Sequence, residues 1–240
     1  MLFNFVKQIR KSAAIKMSKY AHHKQSGSIF SMSLHQAVEK GRFSGPVLHV
    51  GSKINYDDEK ARESAPRFRK FITSNLQENQ EFLGLDIFPG YNVDIIADLC
   101  SQELFVDNLS QYKSYFKTII CWAVLEHVSN PIQAAINIDK FLAPGGKLFY
   151  CGPWVWGYHP YPDDYWRISF PGLKILFPHL EWQDWWYSGT KKDVAFRINE
   201  VKSERQVFLE KDENANQNNL VSDRLMPYLN INAIGIKKSS

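Results

Sequence analysis

The sequence predicts an α/β fold with a mostly parallel sheet covered by helices on both faces, and three observations carry that reading. Short apolar runs rich in β-branched residues, bounded by glycine or proline, recur along the chain, as expected of strands buried on both faces. Between two of these runs the apolar spacing changes to the period of a helix. Glycine and acidic residues stand repeatedly at the ends of the runs, where open parallel sheets bind their ligands.

The first 40 residues read as a basic amphipathic helical extension. Leu2, Phe5, Val6, Ile9 and Ala13 recur at helical spacing with Lys and Arg between them. Such a helix packs on the domain or, through residues 1–20, rests on an anionic membrane surface. Lys7, Arg10 and Lys11 interrupt any apolar core, so a secretory signal is not expected. The formal charge of +4 is an attribute of this end of the chain. Lys7, Arg10, Lys11, Lys16, Lys19 and Lys24 precede the first acidic residue, Glu39, and the remainder is net acidic. A nucleic-acid partner is therefore not expected, because binders of that kind carry basic residues over the folded body.

Residues 41–240 are expected to form one domain. GPVLHVG (45–51) reads as the first strand; EFLGLDI (81–87) and NVDIIADL (92–99) follow, separated by the turn FPGY. The long spacing between the first two predicts extra structure around 56–75. FKTIICWAV (116–124) is the fourth strand. In NPIQAAINIDKFLA (130–143), Ala134, Ile138, Phe141 and Leu142 share one helical face, with Asn130 as N-cap and Pro131 at the first helical position. Pro144-Gly145-Gly146 ends that helix, and KLFYCGP (147–153) is the fifth strand. FPGLKILF (170–177) predicts a short helix, and LEWQDWWYSG (180–189) and LNINAIGIKK (229–238) two late strands, with an exposed polar insertion near 205–222 between them.

Cys100, Cys121 and Cys151 are odd in number and form no CxxC pair, which predicts reduced, mostly buried thiols and a cytoplasmic protein, with peripheral contact at the inner face of the membrane as a further expectation from residues 1–20. No apolar run approaches the ~20 residues of a membrane span.

Three strand ends suit an adenosine-type ligand. Gly51 lets a ligand approach the backbone, Asp86 is placed to accept hydrogen bonds from ribose hydroxyls, and Asp98 to help hold an adenine edge. At these residues the chain resembles a known family. ICWAVLEHVSNPIQAAINIDKFLAPGGKLFYCGP is similar to the region from the fourth to the fifth strand of class I S-adenosylmethionine-dependent methyltransferases of the type-11 group, and GLDIFPGYNVDIIADLCS to their second and third strands. The resemblance implies a Rossmann-like class I methyltransferase fold with a seven-stranded sheet and S-adenosylmethionine as cofactor. It places cofactor contacts at Gly51, Asp86, Asp98 with Leu99, and Cys121 with Trp122. The first loop departs from the family: VLHVGSKIN has His49 in the usual acidic position and Ser52, Lys53, Ile54 and Asn55 where further glycines are expected. Either Lys53 pairs with the cofactor carboxylate, or cofactor binding is weakened or lost and the chain is a noncatalytic scaffold. GSKINY also fails the G-x-G-x-x-G pattern of nicotinamide dehydrogenases.

After the fifth strand, YHPYPDDYWR (158–167) concentrates charge and aromatic rings in a proline-stiffened loop. By resemblance it forms a wall of the acceptor pocket for a small-molecule or glycan-type acceptor, methylated at oxygen with general-base help. His159 is the first candidate base, oriented by Asp163 or Asp164; His127 is the second. Tyr158, Asp164 and Arg167 are candidate acceptor contacts; alternatively, Asp163 or Asp164 forms with Arg167 a structural ion pair that pins the loop. No metal site is expected, because the adjacent Glu126-His127 pair lacks further ligands in sequence.

Overall fold

The computed structural model describes residues 44–54, 59–76, 80–106, 109–156, 158–159, 162–189, 195–197 and 229–239. The extension of residues 1–40, including its membrane-facing stretch, and the insertion near 205–222 lie outside the described residues. No helix among the described residues is long and apolar enough to cross a membrane.

The strands are β1 (Val47–Val50), β2 (Phe82–Asp86), β3 (Ile95–Ile96), β4 (Phe116–Trp122), β5 (Leu142–Val155), β6 (Leu180–Gly189), β7 (Ala195–Arg197) and β8 (Leu229–Lys237). They form one sheet in the order β3-β2-β1-β4-β5-β8-β6-β7. Pairing is parallel from β3 through β5 and antiparallel at β5–β8, β8–β6 and β6–β7. The order reverses at β1, whose two neighbours are β2 and β4, and a crevice opens beyond the carboxyl ends at such a switch. Seven strands match the predicted runs. The eighth, β7, is a three-residue edge strand that no apolar pattern announced.

The pleat sorts side chains into two cores. Leu48, Val50, Leu85, Ile119, Cys121, Leu148 and Tyr150 face one side, where helices α2 (Pro131–Phe141) and α3 (Phe170–Leu176) pack through Ala134, Ile138, Phe141, Phe170 and Leu173. Val47, Phe82, Ile120, Phe149 and Cys151 face the other, under Ile72, Phe68 and Phe71 of helix α1 (Glu59–Ser74). That helix is the extra structure expected after the first strand. Both later helices carry local start signals. The Asn130 side chain accepts from Gln133 N at 3.1 Å, and Ser169 Oγ accepts from Gly172 N at 3.1 Å.

The third predicted strand survives as two residues. Asp94 turns its carboxylate back to accept from Gly84 N at 2.7 Å, and Asp98 accepts from Cys100 N at 2.8 Å. The first ties the segment to β2 ahead of the ladder, and the second is a local side-chain turn that ends it.

Helix α1 also secures the glycine-poor first loop. Arg69 donates to Asn92 Oδ1 at 2.8 Å, Phe82 O at 3.1 Å and Asp94 Oδ2 at 3.2 Å, and its guanidinium lies 5.1 Å from the Phe82 ring centroid. Asn92 then binds Ser52 in both directions: Ser52 Oγ donates to Asn92 O at 2.9 Å and Asn92 Nδ2 to Ser52 O at 3.1 Å. Gly84 is required where these strands meet, since a Cβ there would collide with Asn92 O. Hydrogen bonds to charged groups each contribute about 1.5–3 kcal/mol. Replacing Arg69 by Ala should therefore lower stability by about 1–3 kcal/mol in urea unfolding, whereas Ala at its exposed neighbour Arg67 should change it by no more than about 0.5 kcal/mol.

Candidate functional site

A cleft of about 340 Å³ opens at the carboxyl ends of β1, β2 and β4. Its walls include Gly51 and Lys53 after β1, Asp86 and Phe88 after β2, Asp98, Leu99 and Cys100 after β3, Ala123, Val124 and His127 after β4, and Pro162 and Tyr165 from the loop after β5.

Gly51 adopts φ +68 with Val124 against it, so a Cβ would be both strained and in collision. Asp86 is half-buried, and each of its oxygens accepts one backbone N–H, from Lys53 at 3.0 Å and Phe88 at 3.1 Å. A carboxylate offers about four lone-pair sites, so this one fixes both loops and keeps capacity for two further donors. Lys53 lies along the cleft wall with its ammonium 5.1 Å from the Phe88 ring centroid, while Ile54 turns into the protein and is 6% exposed. The first loop thus does not plug the cleft. Leu99 is buried beside the exposed Asp98. The buried Asn137 of α2 ties down that segment, donating to Leu99 O at 2.8 Å and Ser101 O at 2.7 Å.

Cys121 and Trp122 do not line the cleft. β4 remains paired to β5 through Trp122↔Cys151, and the pleat sends Cys121 into one core and Trp122 towards Phe68, with ring centroids 6.4 Å apart, on the other side. The wall begins one residue later, at Ala123, whose φ of 52 turns the chain. His49 likewise faces α1, packed against Phe68 and Phe82. Burial, with Arg69 adding, pushes its pKa down to about 4, so it is a neutral core side chain.

The loop after β5 docks on the loop after β4. Tyr165 N and Trp166 N donate to Glu126 O at 2.7 and 3.3 Å, and Trp166 Nε1 donates to Val128 O at 2.8 Å. Asp164 is the centre of this loop. It receives both terminal nitrogens of Arg167, the second at 2.8 Å, and the His159 backbone N–H at 3.0 Å, and its Oδ2 lies 3.1 Å from His159 Nδ1. Arg167 holds its carboxyl well below the usual carboxylate range. Arg167 also donates to Trp156 O at 3.2 Å and Trp166 O at 2.9 Å. Asp163 faces outward, accepting from the exposed Tyr158 hydroxyl at 2.9 Å, while its backbone oxygen lies 2.6 Å from His127 Nδ1. Tyr158, Asp164 and Arg167 are therefore joined within the loop, outside the cleft wall. His127 reaches that wall; His159 stands behind it, with the two rings 4.9 Å apart.

Glu126, which in the sequence has only the adjacent His127 beside it, enters the cluster. Its side chain is 2% exposed, and its Oε1 lies 3.8 Å from His127 Nε2 and 3.9 Å from His159 Nε2. Among the described residues, neither carboxylate oxygen has a hydrogen-bond partner. Burial pushes its pKa up to about 8 and lowers that of His127. LEHV placed Glu126 at a strand end, but nothing local in the sequence showed that His159 would join it.

A family model described as a methyltransferase domain matches residues 49–200. Comparison with curated proteins gives no match. Among solved structures, the chain is similar to the YcgJ protein from Bacillus subtilis, at 15% identity and TM-score 0.50, over 87% of this chain and 99% of that one. It is also similar to the 1,6-didemethyltoxoflavin-N1-methyltransferase of Burkholderia thailandensis, at 10% identity and TM-score 0.51, over 95% of this chain and 90% of that one. At these identities the likeness is one of fold. The family match spans most of the sheet and every element around the cleft, and the chain belongs to the methyltransferase domain family.

Proposed function

We propose that this chain transfers a methyl group from S-adenosylmethionine to a hydroxyl of a small-molecule or glycan-type acceptor. The observation that carries the reading is the cleft at the sheet's switch point, lined by Gly51, Asp86 and Leu99 at one end and by His127, Pro162 and Tyr165 at the other. The residues fit the cofactor. Asp86 has acceptor capacity left for a ribose diol, Leu99 offers an apolar surface to an adenine ring, and Lys53 supplies a cation for the cofactor carboxylate. When bound, the cofactor supplies an activated methyl on sulfonium sulfur.

The protein's own contribution is orientation and the handling of one proton. Holding reactants in line accounts for about 7–11 kcal/mol of such barriers. The loop after β5 supplies an aromatic wall in Tyr165, a flat apolar face with a polar tip suited to a sugar or ring-bearing acceptor. The acceptor's proton is assigned to His127 at the cleft wall, backed by the Asp163 carbonyl, while His159, backed by Asp164, stands behind it and acts on that proton through the adjoining His127 ring.

Calorimetric titration of the full chain with S-adenosylhomocysteine tests the cofactor assignment. Micromolar binding is expected, and Asp86→Ala should weaken it about 10–100-fold, the loss of charge-assisted hydrogen bonds. Failure of the unaltered chain to bind would leave a noncatalytic scaffold on the same fold. His159→Gln should lower turnover by about 10²–10⁴-fold with little change in cofactor affinity; an unaltered rate with the true acceptor would remove His159 from the chemistry.

A further inference from the structure

We propose that Glu126, His127 and His159 form a binding site for a divalent transition metal of the zinc class. This goes beyond methyl transfer and does not depend on cofactor binding; with an ion bound, both Nε2 lone pairs are committed to it, so the imidazole proton acceptor of the proposed reaction belongs to the metal-free protein. Glu126 Oε1 and the two imidazole Nε2 atoms are candidate ligand atoms, and within the group these all lie within 4.8 Å of one another.

The tautomers follow from what each ring meets on its other side. His127 Nδ1 lies 2.6 Å from the Asp163 carbonyl, which can only accept, so Nδ1 carries the hydrogen and a neutral ring presents its Nε2 lone pair to Glu126. His159 Nδ1 faces the Asp164 carboxylate at 3.1 Å, with the same consequence for its Nε2. Imidazoles that ligate metals characteristically donate the far N–H to a carboxylate or a backbone carbonyl. Here one ring has each.

Three electron-rich atoms therefore converge on one point, with the Glu126 side chain 2% exposed and that of His159 35%. The separations of 3.8 and 3.9 Å are too long for direct hydrogen bonds, and among the described residues neither Glu126 oxygen has a hydrogen-bond partner. The nearby guanidinium of Arg167 is engaged by Asp164. A buried carboxyl without a hydrogen-bond donor holds either a proton or a cation, and an ion bound here takes the proton's place. Zinc bonds of about 2.0–2.1 Å to nitrogen and oxygen place tetrahedral ligand atoms about 3.3 Å apart, so an ion would draw each imidazole about half an ångström towards Glu126 and the widest pair of the group together by up to about 1.5 Å. Two His and one Glu are a donor set of catalytic zinc sites, which keep a further position for water or a substrate oxygen.

The test is metal binding by the full-length chain. Protein stripped with chelator is titrated with Zn²⁺ against a chromophoric chelator, and separately with Co²⁺ while visible ligand-field absorption is recorded. One equivalent of each should bind. Glu126→Gln should reduce Zn²⁺ affinity at least about 100-fold, and Asp164→Asn, which disturbs a ligand only through its support, about 10–100-fold. Exposed His179→Ala should leave affinity unchanged. Cooperative thermal unfolding of each variant shows whether it is folded; should Glu126→Gln fail that check, His159→Gln, altering a side chain 35% exposed, gives the same reading. Absence of stoichiometric Zn²⁺ binding by the unaltered chain would overturn the proposal, as would wild-type affinity in a folded Glu126→Gln or His159→Gln protein. Loss of binding in His179→Ala would also overturn it.

Discussion

The Asp164 carboxylate sets the geometry of everything beyond β5. Its side chain is 1% exposed and receives the Arg167 fork, the His159 backbone N–H and the His159 ring. Removing one partner of such a buried pair typically costs about 3–5 kcal/mol, because the other charge is left uncompensated. The same pair fixes a tautomer. With Nδ1 of His159 committed to Asp164, Nε2 is the atom that turns to Glu126, and the docking of Tyr165 and Trp166 on the Glu126 carbonyl holds the two loops at that separation. One ion pair therefore links the shape of a loop to the chemistry of a ring that does not itself touch the cleft.

The strands, the caps of α2 and α3, and the cleft ends at Gly51, Asp86, Asp98 and Leu99 were legible because each is written locally. A strand end, an Asn-Pro helix start or a glycine before a turn is visible within a few residues. What was not legible depends on register or on distant pairing. Cys121 and Trp122 were one residue too early because only the ladder with β5 shows that pairing continues through Trp122. Arg167 read both as an acceptor contact and as the partner of Asp163 or Asp164 in a loop-pinning ion pair, and only the fold shows that Asp164 takes it. His159 and Glu126 are far apart in sequence, so their convergence has no local signature, and a metal site was not expected for the same reason. β7 is too short for its composition to distinguish it from loop.

The glycine-poor first loop illustrates how different chemistry can support one task. In the pattern this chain resembles, glycines allow the loop to bend tightly around the cofactor. Here the bend is held by side chains: Ser52 and Asn92 bind each other reciprocally, Arg69 secures Asn92, and Asp86 takes the Lys53 N–H. Glycine is retained at Gly51 and Gly84, where a Cβ would strike Val124 or Asn92. His49 has left the polar role of the usual acidic residue for a place between Phe68 and Phe82, which is why its imidazole is neutral and its pKa low.

Both walls of the cleft are thus fixed by side-chain clamps reaching in from outside it, Arg69 behind the cofactor end and Arg167 behind the acceptor end. That arrangement has an energetic consequence. A loop ordered only when ligand arrives loses about 0.5–1.5 kcal/mol of binding free energy for each flexible side chain it immobilises. Loops already ordered by internal ion pairs avoid this loss and keep their dipoles aligned before reaction. The cost appears instead at the buried carboxyl of Glu126, whose pKa burial raises to about 8 and whose oxygens find no hydrogen-bond donor among the described residues. Proteins retain such uncompensated groups where a proton or a cation is to be held, since stability alone would replace the glutamate with an apolar residue of similar volume. The His127 end of this cleft is therefore organised around a buried carboxyl that the fold leaves to a proton or a cation.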